Sequence, residues 1–174
     1  MFSLIDLADA KNTIFSDRGE LVYTPNDSEV SFDLSQLQAV DRGRAIEHMI
    51  SKRMNLHGID AEHIGGTNSF DIKLYVNGRI VRGEVKSSLL GPQSKKYYFQ
   101  GVKPNECDVI FFAFVHPTKG IIVKTCGVQA IRQWIAEYNP TEKEHGYDIY
   151  FNDTTENAKL PTIEWNPTGE GVAV

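Results

Sequence analysis

Hydrophobic and polar residues alternate on both sides of an Asn-Gly dipeptide at positions 77 and 78, through residues 69–76 and 79–86. Asn-Gly between two alternating runs predicts a β-hairpin with a two-residue type I′ turn, because both turn residues need positive φ. Counted back from this loop, Asp71 stands opposite Glu84. The pattern therefore predicts two paired strands that carry facing carboxylates.

Strand alternation divides the predicted hairpin into two faces. One face is polar and carries Asp71, Lys73, Tyr75, Arg82, Glu84 and Lys86. The other face is apolar and carries Phe70, Ile72, Leu74, Val76, Val81 and Val85. Lys86 shares the face of Glu84 two residues further on, so its ammonium group can reach the same site.

Before the hairpin, the hydrophobic period lengthens to that of a helix. We predict a helix capped by Asp33 or Ser35, running to about Asn55 and broken or bent near Gly43. Its second half carries a buried stripe of residues at helical spacing, namely Ile46, Met49, Ile50 and Met54.

Glu47 interrupts this apolar stripe. At 100° per residue it lies about 20° from Met54 around the helix, so it points along the core-facing side. Carboxylates are rarely buried without a partner. Glu47 is therefore expected either to reach water at the edge of the stripe, with an i+4 contact to Ser51, or to meet a cation.

The elements after the hairpin are predicted from apolar runs. The continuous run at residues 109–115 is typical of a strand buried on both faces, and residues 121–125 are expected to return antiparallel to it. A helix over residues 128–138 should end at Asn139-Pro140. The segment 93–100 mixes two lysines with three aromatic residues, which suits contact with a nucleic-acid backbone, although at least one aromatic residue is expected in the core.

Composition indicates the class of protein. A chain of 174 residues with 41% hydrophobic residues is expected to form a single domain over residues 1–174, with its motif-bearing core at about 42–138. The sequence shows neither a basic, apolar leader nor a membrane-spanning apolar run, which predicts a cytoplasmic protein without membrane contact. Cys107 and Cys126 are expected to be buried free thiols.

The charge is distributed unevenly along the chain. The net charge is −5, but residues 42–103 hold 11 basic and 5 acidic side chains, whereas the segments before and after have balances of −6 and −5. A locally basic band around a carboxylate pair favours a phosphodiester substrate. Candidate substrate contacts in this band are Arg82, Lys95, Lys96 and Lys103.

Two facing carboxylates about 5 Å apart repel each other by about 3 kcal/mol at an effective dielectric constant near 20. Converging hard oxygen donors suit Mg²⁺ or Mn²⁺, which would reverse the sign of that interaction. Lys86 could then orient an attacking water or offset charge in the transition state. Alternatively, Lys73, Arg82 and Lys86 only neutralise the carboxylates in a solvated charge ladder.

The order of helix with Glu47, strand with Asp71, and strand with Glu84-Val85-Lys86 resembles the PD-(D/E)xK nuclease superfamily over about residues 42–125, although Phe70 stands where that motif has proline. The resemblance implies an α/β, restriction-endonuclease-like core with a central mixed β-sheet flanked by helices. It implies that Asp71, Glu84, the Val85 carbonyl and Glu47 bind Mg²⁺, or Mn²⁺ in its place. It also implies that Lys86 positions the water and that Gln100 is a polar active-site residue.

These observations predict a Mg²⁺-dependent endonuclease that hydrolyses DNA by attack of a water, as a homodimer where both strands are cut. One alternative is a structure-selective nuclease, such as a junction resolvase or an exonuclease. The other is a catalytically silent module of the same fold that binds nucleic acid or protein.

Overall fold

A computed structural model of the chain describes residues 20–23, 34–56, 58–65, 69–76, 78–118, 120–152, 163–164 and 172–173. The proposed cap at Asp33 lies outside these residues. In chain order the helices and strands are β1 (Glu20–Tyr23), α1 (Ala39–Leu56), β2 (Asp60–His63), β3 (Ile72–Val76), β4 (Arg79–Leu89), β5 (Lys96–Val102), β6 (Val109–His116), β7 (Gly120–Gly127), α2 (Val128–Tyr138), β8 (Thr141–Lys143), β9 (Gly146–Asn152), β10 (Ile163–Glu164) and β11 (Val172–Ala173).

The central sheet has the strand order β1-β7-β6-β4-β3-β2. Strands β4 and β6 run parallel, whereas the other neighbouring strands that the structure describes in this sheet are antiparallel. The sheet is therefore mixed, and the prediction of a mixed sheet with helices is confirmed. A second sheet, of order β5-β9-β8, is antiparallel.

Each face of the central sheet has its own hydrophobic core. On one face, α1 contributes Ile46, Ile50 and Met54 to a core that includes Val85. On the other face, residues of β5, β9 and α2 pack on alternate residues of β6, such as Phe112. Strand β6 is buried along almost its whole length because it lies between these two cores.

The hairpin register is confirmed from Val76↔Arg79 to Ile72↔Gly83. The alternation is confirmed as well, since Ile72 and Leu74 are buried while Tyr75 is exposed. The register between β3 and β4 thus fixes which residues of β4 face which core.

Helix α1 differs from its prediction at its beginning. Leu34–Gln36 forms a 3₁₀ turn, and α1 begins only at Ala39, so the cap at Ser35 was wrong. The helix also continues unbroken through Gly43, where a break or a bend was expected. Gly43 lies where the helix packs on β4, since a Cβ at this position would lie 3.7 Å from Ser87 Oγ. Helix and sheet therefore approach closely at this point.

Strand β5 settles the role of the aromatic residues near its lysines. Tyr97 and Phe99 are buried, and Phe99 meets Phe112 and Phe114 edge-on at ring distances of 5.1 and 5.0 Å. Tyr98 instead stacks on Tyr150 on the outer side of the second sheet. Both cysteines are buried and free, as expected. Within the described residues, every helix is too short or too polar to cross a membrane.

Candidate functional site

Asp71 lies where β3 separates from β4. The strand pairing ends at Ile72, and the N–H of Asp71 donates to the Gly83 carbonyl at 2.9 Å. Asp71 Oδ2 accepts a hydrogen bond of 2.7 Å from the N–H of Val85. The carboxylate thus takes the place of a strand partner beside β4, instead of standing on the polar face opposite Glu84.

The change at Asp71 also corrects the position of Phe70. This ring was expected on the apolar face with Ile72 and Leu74, but it packs against the core on the opposite face of the sheet. The alternation of the hairpin does not continue past the point where the strands part. The alternation of side chains between the two faces of the sheet therefore shifts at Asp71.

Glu84 is a buried carboxylate, only 8% exposed. Its Oε1 accepts an ion-paired hydrogen bond of 2.9 Å from Lys86 Nζ, whereas its Oε2 is buried without a hydrogen-bond partner. Burial raises the pKa of Glu84, and the charges of Asp71 and Glu106 add to this while Lys86 opposes it. The site thus contains an acceptor oxygen that the described part of the protein leaves unsatisfied.

Glu47 meets a cation-forming side chain. Its Oε2 lies 2.6 Å from Nε2 of His63 on β2, and the His63 ring packs against His48 with centroids 4.0 Å apart. Burial raises the pKa of Glu47, the hydrogen bond from His63 lowers it, and the charge of Asp71 raises it further. Of the two alternatives left by the sequence, the structure shows the partnered one; Ser51 Oγ donates to the backbone carbonyl of Glu47, not to its side chain.

Asp71 interacts electrostatically with both other carboxylates of the predicted site. Asp71 lies close enough to raise the pKa of both Glu47 and Glu84 through its charge. Glu47 comes from the α1 side of the sheet, Glu84 projects from the other face, and Asp71 lies between them at the gap beside β4. Because a strand residue directs its N–H and C=O toward the same neighbour, the Val85 carbonyl also points into this gap.

In the described part of the chain, no three His, Cys, Asp or Glu side chains are placed to hold a metal ion together. Each carboxylate instead has its own protein partner: the Val85 N–H for Asp71, Lys86 for Glu84 and His63 for Glu47. The donors nevertheless fit a hard divalent cation, since they are carboxylate oxygens and Glu84 Oε2 is unsatisfied. Binding of an ion would require these side chains to turn toward each other.

Glu84 and Lys86 open into a cleft of about 360 Å³, which is also lined by Ser69, Gly101, Lys103, Glu106 and His145. Of the predicted substrate contacts, Lys103 lies in this cleft. Sequence reasoning missed Glu106 and His145. His145 reaches the cleft because the turn between β8 and β9 lies against the end of β5, and Glu106 because it lies in the connection between β5 and β6. No local sequence pattern at either residue indicates this.

The other predicted substrate contacts lie outside the cleft lining. Arg82 donates two hydrogen bonds of 3.2 Å to Asp108, whose pKa is lowered because these bonds outweigh the effect of burial. Lys95 and Lys96 are exposed at the start of β5, and Lys96 is five residues, or about 17 Å of strand, from Gly101. Gln100 is exposed and does not line the cleft.

Comparison with known proteins gives little further information. No family model matches the chain, and neither does any curated protein sequence. The solved structure of a bacterial homing endonuclease is similar over 71% of this chain and 83% of its own, with 17% sequence identity and a TM-score of 0.48. A score of this size assigns neither a fold family nor an activity, so the functional conclusion depends on the site itself.

Proposed function

We propose that the protein is a divalent-metal-dependent endonuclease of restriction-endonuclease-like fold that hydrolyses phosphodiester bonds in DNA. The observation that carries the proposal is the buried, unpaired Oε2 of Glu84, which lies beside a cleft and within electrostatic reach of Asp71. An unsatisfied buried carboxylate oxygen costs about 1–3 kcal/mol or more. A bound cation would turn this cost into a stabilising interaction.

The role proposed for each residue follows from its position in the site. Asp71, Glu84 and the Val85 carbonyl would hold Mg²⁺ or Mn²⁺ at the gap beside β4, and Glu47 would complete the acidic cluster from α1. The ion supplies Lewis-acid polarisation of the phosphate and a more acidic water. Lys86, now 2.9 Å from Glu84 Oε1, would hold and orient the attacking water when the carboxylate turns to the ion.

The cleft also suits an anionic substrate. Lys86 and Lys103 line it, and the basic band of residues 42–103 surrounds it in sequence. Phosphate contacts with such cations supply most of the sequence-independent affinity of DNA-binding proteins. A single active site cuts one strand, so a double-strand cut requires a homodimer.

The test is cleavage of supercoiled plasmid DNA with Mg²⁺, with Mn²⁺ and with EDTA. We expect nicked or linear product with either ion and none with EDTA. Glu84→Gln and Lys86→Gln should each abolish cleavage. Lys52→Gln, which removes an exposed positive charge on α1 at the other face of the central sheet, should cut like the wild type. Unchanged cleavage by both site variants would overturn the assignment.

A silent binding module is the second candidate, because each carboxylate already has a protein partner and no metal-ready group of three occurs among the described residues. Under this alternative, DNA binding persists in EDTA but no plasmid, linear duplex, single strand or four-way junction is cut with either ion. Cleavage restricted to the junction or to free ends would instead favour a structure-selective nuclease.

A further inference from the structure

Two hydrogen-bond donors in the cleft have no partner among the residues that the structure describes. Lys103 and His145 both line it, and within the residues described neither side chain takes part in a hydrogen bond or ion pair. By contrast, Lys86 in the same cleft is held by Glu84 at 2.9 Å. In this cleft the ammonium group of Lys86 is thus paired with Glu84, whereas the side chains of Lys103 and His145 are available to bind a ligand.

Backbone contacts fix the position of these donors. Gly101 has φ +64°, and a Cβ there would lie 2.9 Å from the His145 carbonyl oxygen. Gly146 has φ +114°, and a Cβ there would lie 2.7 Å from the Val102 carbonyl oxygen and 3.0 Å from Lys103 Cγ. Both positions therefore require glycine, in conformation and in space.

These contacts place the end of β5 directly against the turn between β8 and β9. The pairing of β5 with β9 is interrupted between Phe99 and Val102, so the strand bulges where the β8–β9 turn lies against it. A bulge of this kind redirects side chains near a site. Lys103 and His145 therefore reach the cleft from the second sheet, whereas Glu84 and Lys86 reach it from β4 of the central sheet.

We infer that Lys103 and His145 form a phosphate-binding wall, which holds the backbone of the DNA strand while its scissile phosphate lies at Glu84 and Lys86. The identity of the ligand as DNA rests on the proposed function. An ammonium and an imidazole are suitable donors to the two non-bridging oxygens of a phosphodiester, and charge-assisted hydrogen bonds to phosphate are strong. A volume of about 360 Å³ lies within the usual range of ligand sites, roughly 300–1,000 Å³.

Glu106 acts against phosphate binding by Lys103 and His145. It lines the same cleft, its charge contributes to the raised pKa of Glu84, and its N–H donates to the Lys103 carbonyl at 3.4 Å. An anion here repels a phosphate that contacts Lys103. Removing the charge of Glu106 should therefore tighten DNA binding, opposite in sign to the loss of Lys103 or His145.

The experiment measures fluorescence anisotropy of a labelled DNA duplex in EDTA, over a series of salt concentrations, so that no cleavage is needed. Lys103→Gln and His145→Ala should each weaken binding about tenfold, the size of one charge-assisted hydrogen bond. Lys103→Gln should also reduce the slope of log K against log salt by about 0.9, and Lys103→Arg should restore it. Glu106→Gln should strengthen binding. Lys52→Gln removes an exposed positive charge on α1, which packs on the other face of the central sheet, and should match the wild type.

If Lys103→Gln and His145→Ala bind DNA with the affinity and salt dependence of the wild type, the phosphate-binding wall is wrong, even if the wild type cuts plasmid. Absence of any duplex binding by the wild type, in EDTA or with Ca²⁺, would overturn it as well. Conversely, the expected binding losses without any Mg²⁺-dependent cleavage would support the wall while the nuclease proposal fails. Thermal melting of each variant confirms that the fold is intact.

Discussion

Asp71 has two roles that substitution can separate. Its carboxylate accepts a 2.7 Å hydrogen bond from the Val85 N–H, which holds β4 where β3 leaves it. The same carboxylate is proposed to bind the metal ion. Asp71→Ala removes both functions, whereas Asp71→Asn keeps an acceptor oxygen for Val85 and loses the negative charge.

The stability change follows from the hydrogen bond. A hydrogen bond to a charged group contributes about 1.5–3 kcal/mol. For a chain of 174 residues, 1 kcal/mol shifts Tm by about 2–4 °C, so Asp71→Ala should lower Tm by about 3–12 °C. Asp71→Asn should lie closer to the wild type.

Two assays on the same preparations separate the roles. Thermal unfolding in EDTA reports stability, and plasmid cleavage with Mg²⁺ at 25 °C, where all variants are folded, reports activity. Both variants should be inactive, although only Asp71→Ala is clearly destabilised. Equal Tm values for Asp71→Ala and the wild type would refute the strand-holding role, and full activity in Asp71→Asn would refute the metal-binding role.

Three further predictions concern residues around the site. Burial raises the pKa of Glu84, so the folded state binds the carboxyl proton more tightly than the unfolded state does. The stability that Glu84 contributes is therefore lost as the pH rises above 4.5, the ordinary pKa of a glutamate. In EDTA, the Tm of Glu84→Gln relative to the wild type should rise from pH 4 to pH 7, and a constant difference would contradict this. Burial, followed by the charge of Glu84, raises the pKa of Cys107 to about 12, so a thiol-specific reagent at pH 8 should label it only on unfolding, and rapid labelling of the native protein would contradict its burial. Gly83→Ala would place a Cβ 2.8 Å from the buried ring of Phe111 and should lower the free energy of unfolding in urea by about 1–3 kcal/mol. Gly43→Ala, whose new Cβ would have its nearest contact at 3.7 Å, should be neutral or stabilising. Equal effects of the two substitutions would contradict the packing at Gly83.

The sequence was informative wherever structure depends on local pattern. The Asn-Gly turn predicted the register of β3 and β4 to the residue, as far as Ile72↔Gly83. The long apolar run predicted the buried strand β6, and the position of Asn139 predicted the end of α2, where that residue takes the left-handed conformation as a cap. These features follow from turn geometry, burial and capping, which a few neighbouring residues determine.

The sequence was uninformative where distant segments meet. The alternation of hydrophobic and polar residues does not show where two strands separate. It therefore predicted Asp71 on the polar face, whereas its carboxylate accepts a hydrogen bond from the backbone N–H of Val85. Nothing near Glu47 indicates that His63, 16 residues away, is its partner. The His145 turn was missed for the same reason, although two glycines at positions 101 and 146 were a signal that segments approach closely there.

The central claim is that Asp71 and Glu84 form a metal site. Calorimetric titration with Mn²⁺, which tests it without any substrate, should show saturable binding to the wild type at near-neutral pH. Glu84→Gln and Asp71→Asn should lose that binding while remaining folded, and Lys96→Gln should retain it. Absence of binding to the wild type, or binding that both site variants retain, would contradict the account.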